Sequence, residues 1–372
     1  MVAALAITLL AACSGDPASI GPPSTPTSIP SGTTPVPPPT PAQTSPARAD
    51  PAPITLAFGG DVHFTRQLAP LLDHPDTALS TLRPYLASAD IAMVNLETAI
   101  TGRGTPAPKR FHFRAPPSAL RALDAAGVDV ASLANNHAVD YGQVGLRDTL
   151  AARRGSPIPI VGIGADRDQA YAPAYLQVRG STVAVFGATQ IPDWTLATWP
   201  AGADRPGVAV ASSGPGLARL VQAVRTAARR ADVVVVYLHW GTDYTSCPNS
   251  LQRSTARALS RAGADVVLGA HAHRVQGAGW LGGSYIGYGL GNFVWYGHNP
   301  EAGARTGVLT LTVQPTSGRV SRATWTPMRV TASGLPARQR GATGRRLLAS
   351  WNEARDCTGL SATPPKLPAE AD

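Results

Sequence analysis

Cysteine, lysine and long apolar runs are all in short supply in this chain. Its 372 residues include only 3 cysteines, too few for a miniprotein built on disulfides or a zinc module held by four thiolates. Nowhere in the body is there a run of the ~20 apolar residues that a membrane-crossing helix needs. Only two lysines occur, Lys109 and Lys366, so arginine supplies nearly all the basic charge behind the net of +9. The arginines are scattered, with one loose group at Arg338, Arg340, Arg345 and Arg346. A dispersed positive surface suits anionic polymers or anionic lipid and argues against nucleic acid as a partner.

Proline is abundant but unevenly spread: 13 of the 35 fall between Pro17 and Pro53. This tract of Pro, Ser, Thr and Ala has no aromatic residue and no hydrophobic periodicity, so it cannot bury enough surface to fold. It reads as an extended tether over residues 14–53. Ahead of it, Val2–Ala12 is almost wholly apolar but only about 16 Å long as a helix, which is the scale of a secretory signal. Leu10-Ala11-Ala12-Cys13 resembles a bacterial lipobox. That resemblance implies a signal segment over residues 1–13, lipidation of Cys13 and an extracytoplasmic body anchored to the cell membrane; the other reading is a plain signal with a chance cysteine. Cys247 and Cys357 remain. In an oxidising compartment two leftover cysteines pair, which would tie a final helix, Gly344 to Arg355, to the body. Two separate buried thiols are the alternative.

From Ile54 onward about 300 residues are available for a core. β-branched apolar runs recur at Ile54–Phe58, Ile91–Leu96, Val128–Leu133, Ile158–Ile163, Thr182–Ala188, Val233–Leu238, Val266–Leu268, Tyr285–Leu290 and Val308–Val313. Several are apolar at consecutive positions, as in strands buried on both faces. Helical patterns lie between them: one starting at Ser118, read as its N-cap, with Gly127 beyond its end, and others at Gly142–Arg154, Gly216–Arg230 and Asn249–Ala262. Such alternation predicts one layered α/β domain over residues 54–372.

The polar residues sit directly after the strands. The segments are Gly59-Gly60-Asp61-Val62-His63, Asn95-Leu96-Glu97, Ala134-Asn135-Asn136-His137, His239-Trp240-Gly241 and Gly269-Ala270-His271-Ala272-His273. In open α/β sheets, ligand sites lie beyond the carboxyl ends of strands. Five of the eight histidines fall in these segments, delivered with acids to one rim, which is a metal-site pattern. Asp61 with His63, and His271 with His273, are two apart and so share a side of an extended chain.

These segments resemble the calcineurin-like metallophosphoesterases. Together with Asp140-Tyr141-Gly142 and Gly289-Leu290-Gly291-Asn292-Phe293 they are more closely similar to the CapA family of bacterial capsule and poly-gamma-glutamate synthesis. The resemblance implies a four-layer α-β-β-α sandwich. It implies two divalent ions (Mn, Fe or Zn) about 3.5–4 Å apart, with Asp61, His63 and His273 on one, Asn136, His239 and His271 on the other, and Glu97 bridging. His137 would be the general acid, or a further ligand or structural residue. Asp140 would orient it, or cap a helix. Asn292 would touch substrate, or shape a turn. Arg114 would meet an anionic substrate, or face solvent. The implied function is a hydrolase acting on a phosphoester or an anionic envelope polymer. The alternative is a non-catalytic metal scaffold, or an export or anchoring component of poly-gamma-glutamate synthesis.

Overall fold

A computed structural model of the chain describes residues 51–212, 214–296 and 301–365. The signal segment, Cys13 and the tether up to residue 50 lie outside the described residues. Two sheets dominate. The first runs, edge to edge, Pro336–Arg338, Arg319–Val330, Arg305–Gln314, Ile54–Val62, Ile91–Leu96, Val130–Ser132 and Ile160–Val161, with Asn292–Val294 alongside the end of Ile54–Val62. The second runs Val275–Leu281, Ser284–Leu290, Val266–His271, Val233–Trp240, Ser181–Thr189 and Ala174–Val178. Alternate residues of each strand face opposite ways, and both faces are covered. Leu56, Phe58, Met93 and Leu309 of the first sheet pack with Val183, Val233, Val235 and Leu268 of the second. On the first sheet's outer face, Ala57 and Val94 meet Leu120, Leu123 and Leu146 from helices Ser118–Ala125 and Gly142–Arg154. On the second's, Val234, Val236 and Val267 meet Leu220, Val224 and Leu259 from helices Gly214–Ala227 and Ser250–Arg261. The order is helix, sheet, sheet, helix, which explains why these strands are apolar at consecutive positions.

The two ends of the central strands are treated differently. Asp90, Asp129, Asp232 and Asp265 each stand one residue ahead of a strand. Their own N–H groups donate to the carbonyls of Thr55, Ala92, Thr182 and Val234 on the neighbouring strand. Their carboxylates accept the N–H groups of those same residues at 2.7–2.8 Å. Orphan donors at the amino ends are thereby satisfied within the protein, and the carboxyl ends are left for the chemistry.

Some expectations change. Ser118 is the first helical residue and not its cap; Pro117 holds the cap position and no side chain bonds there. The run Ile158–Ile163 is not one strand. Gly162, at φ +86°, splits it into Ile160–Val161 in the first sheet and Ile163–Gly164, which pairs with Gly207–Val208. A side chain at Gly162 would strike Ala134 at 2.3 Å. The last helix is Gly341–Glu353 rather than Gly344 to Arg355. The strand Arg319–Val330 was hidden because it exposes much of one face and carries Arg322, Thr324 and Pro327. Cys247 and Cys357 are disulfide-bonded, with Cα atoms 5.8 Å apart, across 110 residues of chain. No helix among the described residues is long and apolar enough to cross a membrane.

Asp265 supplies a test of the capping pattern. Burial pushes its carboxyl up to about 7 against a partial offset from the Val234 N–H. The native protein therefore keeps a proton that the unfolded chain releases near pH 4, so stability falls as pH rises from about 4 to 7 and is flat above. Asp265→Asn retains an acceptor for Val234 without the charge. We expect the variant to match the parent at pH 4 and to exceed it by about 2–4 kcal/mol at pH 8, read by urea unfolding at both pH values.

Candidate metal centre

The site is assembled where the central strands end. Asp61 lies near the end of Ile54–Val62, in register with Asn95 on one side and Asn292 on the other. Gly59 and Gly60 permit this: a side chain at Gly60 would strike the Gly291 carbonyl at 1.8 Å, and one at Gly59 the Phe293 ring at 2.8 Å. Asp61 Oδ1 accepts from Asn95 Nδ2 at 2.7 Å, and its Oδ2 accepts the His271 backbone N–H at 3.0 Å. His239 sits near the end of the second sheet's strand Val233–Trp240. Its Nε2 is 2.8 Å from Asn136 Oδ1 and 3.1 Å from His271 Nδ1. Glu97 Oε1 is 3.6 Å from the same nitrogen. His273 Nδ1 is 2.8 Å from Asn292 Oδ1 and 3.8 Å from Asp61 Oδ2.

Two overlapping triads result, Glu97–His239–His271 and Asp61–Glu97–His273, the donor atoms of each lying within 4.8 Å of one another. Glu97 belongs to both. Its two carboxylate oxygens are fully buried and have no hydrogen-bond partner among the described residues. Burial raises its carboxyl well above the ordinary range, and neighbouring Asp61 pushes the same way. Burial also lifts Asp61 to about 6, against the bonds from Asn95 and His271. It drives His239 well below the usual imidazole value and His273 to about 3, in each case with a further push from His271. Carboxylates penalised as anions beside histidines held neutral form a donor set that a cation completes. A mixed nitrogen and oxygen set suits Mn, Fe or Zn, and the residues present fit such a group.

Five non-glycine residues among those described have positive φ. Three of them, Tyr244 (+62°), His271 (+101°) and His273 (+51°), lie at or beside the site. Left-handed backbone at such residues is unfavourable and persists only where the surroundings over-determine it. His271 and His273 therefore converge through a contorted turn and not through extended alternation.

Three expected site residues make contacts other than those expected of them. His63 enters neither triad. The strand ends at Val62, and the register with Asn292–Val294 slips between Asp61 and Val62, so the two-residue repeat does not carry through. The His63 ring is packed among Phe113, Trp295 and Tyr296 at 4.4–4.7 Å, with the N–H groups of Thr65 and Tyr296 directed at its nitrogens. Asn292 is buried and spends both ends of its amide on protein, its Nδ2 donating to the Gly303 carbonyl at 3.0 Å and its Oδ1 facing His273. It positions His273 and is not free for substrate. Arg114 lies 4.8 Å over the Tyr141 ring, exposed and outside both triads.

His137 and Asp140 form a buried pair beside Glu97. His137 Nδ1 is 2.6 Å from Asp140 Oδ2, and its Nε2 is 3.7 Å from Glu97 Oε1. Asp140 does not cap a helix; it also accepts the Phe113 N–H at 2.7 Å and pairs with Lys109 Nζ at 2.6 Å. Phe113 stacks on the His137 ring at 4.1 Å. Sequence reasoning missed four supporting residues. Asn95 orients both Asp61 and His239, Asn135 bonds Asn95 and the His137 N–H, and Asp243 holds His271 Nε2 at 3.0 Å. The fourth, Lys109, had a signal available: it is one of only two lysines in an arginine-dominated chain.

This arrangement defines a buried, cation-ready centre at the carboxyl ends of a layered α/β sheet pair. Residues 55–296 match the family model described as bacterial capsule synthesis protein PGA_cap. The PGA biosynthesis protein CapA of Bacillus subtilis is 32% identical over 247 residues, covering 65% of this chain and 63% of that one. A probable polyglutamine synthesis accessory protein of Mycobacterium tuberculosis is 32% identical over 267 residues, 67% of this chain and 68% of its own. Among solved structures, a phosphatase of Mycoplasma pneumoniae shares 15% identity over 80% of this chain and 97% of that one, with a TM-score of 0.47. The chain belongs to the PGA_cap family. The match spans 63% of the length of its Bacillus subtilis relative and 60% of that from Bacillus anthracis.

Glu97→Gln keeps the shape and removes the shared anion. We expect manganese to raise the melting temperature of the parent, by about 2.7 kcal/mol in stability at a hundredfold excess over Kd, and to leave the variant's unchanged. The metal-free variant should be at least as stable as the parent, because a buried orphan carboxyl is gone. Differential scanning calorimetry with and without manganese reads both.

Proposed function

We propose that the protein is a metal-dependent hydrolase of phosphoesterase type, held outside the cytoplasmic membrane by a lipidated Cys13 and acting on an anionic polymer of the cell envelope. The observation that carries the reading is Glu97, an unpartnered buried carboxylate shared by two triads. It suits two divalent ions, with Asp61 and His273 serving one, Asn136, His239 and His271 the other, and Glu97 both. Such ions, when bound, supply Lewis acidity and concentrated positive charge at the scissile bond. The relatives' names, a PGA biosynthesis protein, a capsule biosynthesis protein and a probable polyglutamine synthesis accessory protein, support an envelope polymer as the substrate class. The disulfide supports an oxidising, extracytoplasmic location.

The chain's own contribution centres on His137. Asp140 accepts the proton of Nδ1, which fixes the tautomer and directs Nε2 toward Glu97 and the triads. Lys109 and the Phe113 N–H hold the Asp140 carboxylate, and the stacked Phe113 ring stops the imidazole from turning. With Nδ1–H held by Asp140, it is the imidazolium form that carries a proton on Nε2, and from that position this proton can pass to a leaving oxygen, returning the ring to its neutral Nδ1–H form. Asp243 does for His271 what Asp140 does for His137: it accepts from the outer nitrogen, leaving Nδ1 as the inward donor. The site is thus organised as inward-facing nitrogens backed by carboxylates.

A second reading, a metal scaffold without turnover, draws its support from His63, whose ring nitrogens face backbone amides in an aromatic cage. One assay separates the two. Purified protein supplied with manganese should hydrolyse an aryl phosphodiester, and His137→Ala should lose about 10²–10⁴-fold in kcat while binding manganese as the parent does. Stoichiometric manganese without turnover of phosphoesters or of gamma-glutamyl polymer would establish the scaffold instead. Asp243→Asn should weaken manganese binding by about 10–100-fold, measured by isothermal titration.

A further inference from the structure

A second cavity, of about 210 Å³, opens between the helix Gly341–Glu353, the start of the strand Arg305–Gln314 and the residues Ser246 and Arg274. Most of its walls lie beyond the segment matched by the family model, which ends at residue 296. Trp325 and Trp351 form an apolar side, their rings parallel with centroids 4.1 Å apart. The charged lining is Arg274, Arg305 and Glu353.

Arg305 is the informative member. Its Nη1 donates to Ser350 Oγ at 3.0 Å, and its Nη2 is 3.7 Å from the exposed carboxylate of Glu301. Its Nε is buried and has no acceptor among the described residues. A buried donor left unpaired is destabilising, and a guanidinium is built to receive an oxyanion in a fork. Arg274 joins this cavity to the metal centre. It follows His273 directly, donates Nη1 to the His273 carbonyl at 2.9 Å, and lies 5.2 Å over the Tyr244 ring. Around the cavity Arg274, Arg305 and Arg329 stand with Glu301 and Glu353, three guanidinium groups to two carboxylates, and the surplus of one positive charge matches a monoanion. Glu353 adds an acceptor for an N–H group, and the indole pair adds an apolar surface. A carboxylate on an amide-linked chain uses all three features. The walls are also tied together, since Cys247 follows Ser246 and bonds to Cys357, four residues past Glu353.

We propose that this cavity is a subsite for one carboxylate of an acidic, amide-linked polymer, whose neighbouring unit is thereby presented to the metal centre. The second half of that statement rests on the hydrolase reading; the first does not. The test is isothermal titration of the full-length protein with an amide-linked glutamate pentamer, with manganese titrated separately. The parent should bind the pentamer, Arg305→Gln should bind it about tenfold or more weakly, and Arg305→Lys, which keeps the charge but not the fork, should fall between. All three should take up manganese equally. Equal pentamer binding by Arg305→Gln, no binding by the parent at millimolar pentamer, or tighter binding of a glycerol-phosphate oligomer would each overturn the subsite. So would a loss of manganese uptake parallel to the loss of pentamer. Pentamer binding that persists in a protein taking up no manganese would support the cavity and sink the hydrolase reading.

Discussion

The Glu97 carboxylate has been taken out of water and given no partner. A buried, unpaired carboxyl is among the less favourable things a fold can contain, and around it the protein has gathered Asp61, a second buried acid, and two histidines, His239 and His273, that burial keeps neutral. Contacts around Asp61 add to the penalty on Glu97, with Lys109 a partial offset. Asn95 and the His271 N–H favour the ionised form of Asp61, and Asp61 in turn opposes ionisation of Glu97. The arrangement is coherent only if positive charge belongs among these groups. Metal binding and folding are then one equilibrium, with the chain accepting instability at the centre in exchange for pre-formed donor geometry.

That centre sits where it does because of how the strand ends are finished. At the amino ends, four aspartates close the ladder onto the neighbouring strand, so no polar group is left to recruit a ligand. At the carboxyl ends the ladder is broken on purpose. Gly59 and Gly60 shift the register between Phe58 and Asp61, and the chain at His271 and His273 turns through left-handed backbone. The first device presses Asp61 between two neighbouring strands. The second points two imidazoles from one short segment into the same space. Both cost conformational free energy, and both act on the donor residues themselves.

Much of this could be read from residue types alone. Apolar runs on consecutive positions imply strands covered on both faces, and acids and histidines directly after such runs imply one rim. Glu97, His239, His271 and Asp61 are found together for that reason. What could not be read was anything that depends on where a strand stops. His63 was placed by the two-residue repeat, which fails one residue past Val62. Asn292 was judged by its turn sequence, whereas its role follows from lying in register with Asp61 beside His273. Lys109, Asn95 and Asp243 support the site through contacts between segments distant in sequence, and their roles follow from those contacts rather than from local pattern. The aspartates ahead of four strands went unread, because their meaning lies in the neighbouring strand's N–H groups.

The region past residue 296 shows how the centre depends on more than its donor residues. Asn292, which orients His273, is itself fixed by the Gly303 carbonyl, and the strand that follows, Arg305–Gln314, pairs directly with Ile54–Val62, the strand carrying Asp61. The closing helix packs Trp351 onto Trp325, and the disulfide joins the turn after that helix to the loop four residues past Asp243, the Cys247 side carrying Ser246 and the Cys357 side carrying Glu353. The metal-centre segments and the closing segments are therefore one mechanical unit. Displacing the last helix would loosen the loop that bears Asp243, and with it the outer hold on His271, at a distance from any donor atom.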